Sequence, residues 1–538
     1  MSPPAGPAPL APTLQDACRR WSSRPAITFD GTTITYRELW QRIESLAANY
    51  ERLGVGRGDR VLCQLRNCPE HVIAIAAAWL RGAVHVGADN DLTGPELSRL
   101  VERLQAAAVL FQPRGDGTEP LAPLGRVVAT SPRTELIVHG AASAPHRSLS
   151  RLLAGCTPPP SNLPGSDAPP RASGPSRPLD PALVFLTSGT TGEPKAVVET
   201  LAAHWAKMQF FADAFRPGPT DVHLLCLPIA HVFGLRLALL ALLRGGRLVL
   251  IDRFSPLRAL ELVGQERVTV LPGVPTQLRL MLECYEPSQH DVSSLRWVVS
   301  AATVLPRRLA ERVYATLAER ILFVFGCSEG FTTLTTDPDE ILAGSVGRRV
   351  FRGPPGTPAD GTVRIVDPAQ RTPLPVGRTG ELEFGAATPV RYWDQPDVAT
   401  DGWYRTGDLG RVDDEGRVYV EGRLKELVNR AGLHVSATEV ETALLRHPSV
   451  ADAAVIPAPD PVLGEAICAC VVPLGPQRPE LAVLRAFLGE NLARHKLPDE
   501  LCVVEAIPRT AIGKVDRPAL AAHVLEADRP RERARTHR

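Results

Sequence analysis

Leu186-Thr187-Ser188-Gly189-Thr190-Thr191-Gly192-Glu193-Pro194-Lys195 is a run of hydroxyls and glycines that closes on a lysine. The apolar residues Ala182 to Leu186 in front of it read as a buried strand. Glycines let a backbone approach a ligand closely and turn successive N–H groups into one concavity. The Ser and Thr hydroxyls add donors, and Lys195 adds a positive charge. That chemistry suits a polyphosphate. The spacing from Gly189 does not give GxxxxGK[ST], and Pro194 removes an N–H where a P-loop would begin its helix. A nucleotide loop outside the P-loop class is the expectation, against an ordinary Ser/Thr/Gly turn.

Working outward, residues 26–110 alternate strand-like and helix-like patterns. Ala26 to Phe29 and Val61 to Gln64 read as strands, and Tyr36 to Leu53 and Val72 to Leu80 as helices, with turns at Gly31 and Gly58. The stretch Thr157 to Pro181 is rich in Pro, Ser and Gly and is expected to be a mobile surface loop. Further strands are expected at Leu224–Leu227, Arg247–Ile251, Val268–Leu271, Arg296–Ser300 and Ile321–Phe325, with helices between. The expected fold is α/β: a large N-terminal domain of stacked, mainly parallel sheets, with an antiparallel β unit from Gly361 to Phe384. Beyond Gly422 a smaller α+β domain is expected. Its parts are a helix at Ser436–Leu445, strands at Asp452–Ile456 and Ala466–Val472, and a helix at Glu480–Leu492.

Composition narrows the function classes. The chain has 538 residues, 44% hydrophobic and 22% charged, with a net charge of +1. That balance gives no field favouring nucleic acid or an anionic membrane. The arginine-rich end, Arg529 to Arg538, reads as a solvated tail rather than a nucleic-acid arm. The apolar stretch Leu235 to Leu243 is too short to cross a bilayer. No signal-peptide pattern opens the chain. The ten cysteines follow no framework spacing, so a reducing cytoplasm without disulfides or zinc is expected, with Cys468 and Cys470 on one core-facing side of a strand.

Several further strings carry chemistry. Leu227-Pro228-Ile229-Ala230-His231-Val232-Phe233-Gly234 puts one histidine at the mouth of a strand, among apolar neighbours. Phe323-Val324-Phe325-Gly326-Cys327-Ser328-Glu329-Gly330 ends a strand-like run with an aromatic and, four residues on, a carboxylate. Tyr404-Arg405-Thr406-Gly407-Asp408-Leu409 puts a carboxylate, Asp408, after a turn glycine. Glu421-Gly422-Arg423-Leu424-Lys425 and Pro508-Arg509-Thr510-Ala511-Ile512-Gly513-Lys514-Val515 follow. Taken singly, each string has a plain structural reading as a cap, a turn or a solvated charge.

Taken in order, over roughly residues 15–525, the strings resemble those of the adenylate-forming superfamily: acyl- and aryl-CoA ligases, luciferases and the adenylation domains of peptide synthetases. The departures are Ala196 where the family usually has Gly, Phe325 for Tyr and Ser328 for Thr. The resemblance implies that Thr187, Ser188, Gly189, Thr190, Thr191, Gly192 and Lys195 hold the phosphates of ATP. Phe325, Gly326 and Ser328 lie at the nucleotide, and Glu329 reaches Mg²⁺. Asp408 and Arg423 take the ribose. It implies a pocket for the acid at His231, Val232, Phe233, Ala301 and Gly326, with His231 beside the carboxylate. It implies a body of residues 1–422, a lid of residues 423–538 and a hinge at Lys425. Lys514 is then the lid's catalytic cation, joined by His231 and Glu329.

The absence of an Asp for an amino group, and Val232 where salicylate-type ligases often carry Asn, point to an apolar acyl or aryl acid. The expected reaction is formation of acyl-AMP, then of a thioester with CoA. The alternatives are a stand-alone enzyme that loads the phosphopantetheine of a separate carrier protein, and an inactive nucleotide-binding homologue. Asn429 occurs in both kinds of ligase and leaves the acceptor open.

Overall fold

The computed structural model describes residues 10–90, 92–113, 134–139, 147–154, 174–187, 194–301, 303–330, 332–349, 363–385, 391–394, 402–431, 433–510, 513–526 and 532–533. Among these, four sheets organise the chain. A nine-stranded sheet runs in the order Arg348–Arg349, Thr332–Thr335, Arg320–Gly326, Trp297–Ser300, Val270–Pro272, Val222–Leu225, Arg247–Leu250, Pro25–Phe29 and Thr32–Thr35. Its inner strands are parallel and its edges antiparallel. An eight-stranded sheet is built around the parallel strands Arg60–Gln64, Val84–Gly87 and Pro181–Thr187. A four-stranded antiparallel sheet joins Val363–Val366, Gly380–Gly385, Trp403–Val412 and Val418–Arg423. The expected α/β body with an antiparallel unit is therefore present.

Local sequence explains the main helices. Tyr36–Arg52 begins at a reciprocal cap in which Thr35 accepts from the Glu38 backbone and Glu38 accepts from Thr35. Pro69–Leu80 and Val232–Leu243 are apolar on almost every face, as helices enclosed by protein must be. Both contribute to the largest core cluster, together with Ile43, Phe211, Val61 and Leu322 from elements on either side. Parallel strands hydrophobic on both faces follow from that enclosure. No helix among the described residues is long and apolar enough to cross a membrane.

The small domain has its own sheet, with strands Leu427–Arg430, Leu433–Ser436, Val450–Asp460, Gly464–Pro473, Glu500–Val503 and Glu532–Arg533. Its two core clusters draw only on residues from Val428 onward. Cys468 and Cys470 are buried together in one of them, beside Cys502. The strand Val418–Arg423 belongs to the body and Leu427–Arg430 to the small sheet, so the chain crosses between them at Leu424–Glu426.

Some expected boundaries move. Pro181 is the first residue of a strand rather than the end of a loop, because an N-terminal strand position needs no proline N–H. Residues 157–173 of that expected loop lie outside the described set. The strand expected at Leu224–Leu227 is Val222–Leu225, since the chain leaves the ladder before Pro228. The helix expected to reach Leu492 stops at Gly489 and gives way to a 3₁₀ turn at Arg494–Lys496.

Candidate active site

Most of the functional strings sit just beyond the carboxyl ends of parallel strands. Asp89 follows Val84–Gly87, His231 follows Val222–Leu225, Ala301 follows Trp297–Ser300, and Glu329 follows Arg320–Gly326. The phosphate-loop string follows Pro181–Thr187, which is parallel to Val84–Gly87. Ligands of α/β sheets collect at such ends because the loops there converge on a crevice. Thr187 and Lys195 pair across the antiparallel strands that flank this loop. Ser188, Gly189, Thr190, Thr191 and Gly192 lie outside the described residues, as does Ala302.

Lys195 is tied to Glu329 through a residue the sequence did not single out. Tyr392, on the two-residue strand Arg391–Tyr392 that pairs with Lys195–Thr200, lies with its ring 5.2 Å from the Lys195 ammonium. Cation–ring contacts at this range are attractive. Its hydroxyl donates to Glu329 Oε1 at 3.1 Å and lies 3.3 Å from the Tyr404 hydroxyl. Burial, then the Glu329 charge, pushes both phenols above their ordinary range, so both remain protonated. No pattern local to residue 392 announces this role, because strand pairing alone brings it to Lys195.

His231 caps the helix Val232–Leu243, with Nε2 3.4 Å from Asp89 Oδ2. Val232 and Phe233 are half-buried against the main core, and Ala301 is buried within it. Phe325 is 7% exposed and belongs to the second core, so little of its ring faces the crevice in this conformation. Gly326 beside it is exposed, and Ser328 is half-buried.

Asp408 and Arg423 are directly opposite on paired strands, and Arg423 Nε donates to Asp408 Oδ1 at 2.8 Å. Burial raises the Asp408 carboxyl, opposed by Arg423 and by Lys514. Burial lowers the Lys514 ammonium and Arg423 lowers it further, while Asp408 and Glu426 oppose that shift. The cation from the far C-terminal string is thus near enough to feel the ion pair formed by residues about one hundred positions earlier. Lys425 is exposed in the crossing between the two domains.

The small domain is held against the body by specific contacts. Asp452, with 8% of its side chain exposed, accepts from Arg279 of the body helix Pro275–Cys284 at 2.9 Å and from Arg509 at 2.9 Å. Arg509 also donates to the Gly513 carbonyl at 3.0 Å, and Thr510 N donates to the Lys514 carbonyl at 2.8 Å. Gly513 has φ +78, and a Cβ there would come 2.8 Å from Val274 Cγ2 of the body. The turn that presents Lys514 therefore needs glycine both for its dihedral and for close approach.

One further group has metal-ligand chemistry. Cys68, Glu70 and His139 bring their ligand atoms within 4.8 Å of one another, the one such group of three among the described residues. Burial raises the Cys68 thiol well above its ordinary value, which favours the protonated form.

Comparison with known proteins extends the geometry. Residues 14–390 match the sequence profile described as AMP-binding enzyme, and residues 439–514 match AMP-binding enzyme C-terminal domain. The chain is 35% identical to Triostin synthetase I of Streptomyces triostinicus, covering 97% of this chain and 95% of that one. It is 32% identical to the salicyl-AMP ligase / salicyl-S-ArCP synthetase of Mycobacterium tuberculosis, covering 98% and 93%. The ATP-bound crystal structure of MatB from Rhodopseudomonas palustris aligns with a TM-score of 0.78 at 26% identity, covering 95% of this chain and 98% of that one.

Proposed function

The chain belongs to the AMP-binding enzymes, the adenylate-forming ligases, and from that premise we propose that it activates an aryl carboxylic acid with ATP and passes it to a phosphopantetheine thiol. The observation that carries the reading is the half-buried Lys514 beside the Asp408–Arg423 ion pair. A lid cation next to a ribose-binding carboxylate is what transfer at an α-phosphate requires. In the first step a carboxylate oxygen attacks the α-phosphorus and pyrophosphate leaves. In the second, a thiol sulfur attacks the carbonyl and AMP leaves, with the thiol proton passing to AMP or solvent.

The residues divide the work. Asp408 accepts the ribose hydroxyls while Arg423 holds that carboxylate ionised and in place. Lys195 and the hydroxyl-rich string before it take the β- and γ-phosphates. Lys514 and His231 donate toward the carboxylate and α-phosphate, opposing the charge that gathers there. Glu329 is a half-buried carboxylate on which, among the described residues, one phenol donates to Oε1, and this fits a hard cation that takes most of its oxygens from ATP. Bound there, Mg²⁺ would neutralise phosphate charge. Lys425 is the pivot at which residues 423–538 turn against residues 1–422 between the steps.

Similarity to an enzyme named as a salicyl-S-ArCP synthetase spans both domains, and so does similarity to enzymes named as CoA ligases, so the phosphopantetheine thiol of a carrier protein and that of CoA are the two arms of the test. The test is acid-dependent ATP–pyrophosphate exchange across a panel of aryl and acyl acids, followed by intact mass of a phosphopantetheinylated carrier protein and of CoA. Exchange with an aryl acid and a mass increase on the carrier are expected. Silence across the panel overturns the reading, and acylation of CoA alone transfers the acceptor role to CoA.

A further inference from the structure

A buried charge cluster beside the acid pocket has no task in the reaction above. Glu199, on the strand Lys195–Thr200, accepts Lys207 Nζ at 2.5 Å and Arg236 Nη2 at 2.8 Å on Oε1, and His204 Nδ1 at 2.7 Å on Oε2. Each of these four side chains is less than a tenth exposed. Burial holds His204 below its ordinary value, which leaves the ring neutral at pH 7. Burial opposes ionisation of Glu199, but the charges of Arg236 and Lys207 and the hydrogen bond from His204 outweigh it and hold its carboxyl well below the usual range. Among the described residues, two cations therefore face one anion. An uncompensated buried charge is costly, and a further acceptor would relieve it. The Lys207 ammonium has three donor protons, and among the described residues Glu199 takes one.

The position of the cluster says where that acceptor comes from. Arg236 lies one turn beyond Val232 and Phe233 on the same helix, sharing their face. Lys207 lies one turn before Phe211, whose ring centroid is 6.3 Å from that of Phe233. A Cβ built on Gly330 would sit 3.6 Å from Lys207 Nζ, and Gly330 directly follows Glu329. Its φ of +133 favours glycine, so no side chain covers the amine from that side. The excess cation thus stands behind a wall that is otherwise apolar.

We propose that Lys207 is a specificity-determining residue, donating a hydrogen bond to an acceptor atom (a ring nitrogen or a phenolic oxygen) on an otherwise apolar aryl acid. This rests on the reading of the site as acid-activating, and the experiment separates the two. Pyrophosphate exchange is measured with matched acids: benzoate against picolinate and salicylate, and 2-naphthoate against quinoline-2-carboxylate. The wild type should favour the acceptor-bearing member in kcat/KM by on the order of tenfold to a hundredfold, because its apolar isostere leaves the donor unpaired. Lys207→Met leaves Glu199 with Arg236, a balanced pair, and should erase that preference while keeping exchange with the apolar acids. A purely structural lysine would instead lower both members of each pair equally. Exchange by the wild type without preference overturns the inference alone, whether or not Lys207→Met folds. Retained preference in Lys207→Met does the same, whereas silence with every acid overturns the reading of the site and this inference with it.

Discussion

Lys514→Ala removes one cation from a half-buried group that also holds Arg423, Lys425, Asp408 and Glu426. The cost to the fold is small. Lys514 is repelled by Arg423 and Lys425 and attracted by Asp408 and Glu426, so repulsion opposes attraction, and its loss also removes the burial penalty, which is the largest influence on the amine. The turn itself is held by Arg509, Asp452 and backbone bonds that do not use the amine. Stability should therefore change by less than about 1 kcal/mol. The loss to chemistry is larger, since one preorganised donor at developing charge is worth about 3 kcal/mol, roughly two orders of magnitude in rate. The assay is pyrophosphate exchange for the first step and release of AMP from supplied acyl-AMP and thiol for the second. Exchange should fall and the second step should persist. Equal losses in both steps, or a large fall in melting temperature, would refute the reasoning. The same burial sets a pH signature. Because the folded amine titrates below an ordinary lysine, exchange should decline with rising pH earlier than free lysine would dictate. Stability runs the other way. Between the lowered folded value and the ordinary unfolded one the unfolded chain binds more protons, so this group's penalty fades as pH rises.

Arg423→Met leaves Asp408, with 6% of its side chain exposed, without its paired guanidinium. Loss of a partner from a buried pair costs about 3–5 kcal/mol, and the 35% exposure of Arg423 reduces this to about 2 kcal/mol; a thermal melt should show it, together with a raised KM for ATP, and an unchanged melt would contradict the pairing. Lys425→Pro fixes φ at the crossing between the sheets. Exchange should survive while thioester formation slows, and equal retention of both would remove Lys425 from the pivot. Trp79→Ala empties a fully buried indole site and strands the Ala182 carbonyl that its Nε1 reaches at 2.9 Å; denaturant titration should show a loss of about 3–5 kcal/mol, and a loss below about 1 kcal/mol would mean the cavity collapses.

Much was legible without coordinates. The apolar runs with turn residues between them gave strands and helices because hydrophobic periodicity and backbone chemistry are local properties. The helix Tyr36–Arg52 could be read almost to its ends from its apolar spacing, and Thr35 and Glu38 cap its start. Asp408, Arg423 and Lys514 could be singled out because each sits in a short string whose order is kept along the chain, and the structure brings the three together. Boundaries were less so: Pro181 and Leu227 both sit where a proline alters one hydrogen bond, which composition alone cannot place.

What the chain wrote down by itself is the set of local decisions: where strands end in hydroxyl and glycine loops, and which loops carry a carboxylate or a cation. Only the tertiary structure decided which distant groups meet. Tyr392 joins Lys195 to Glu329 through strand pairing, Asp452 couples Arg279 of the body to Arg509 of the small domain, and Glu199 gathers Lys207 and Arg236 from two helices. The physical reason is range. Propensity and patterning act over a few residues, whereas burial changes a charge only when the fold has removed water from around it.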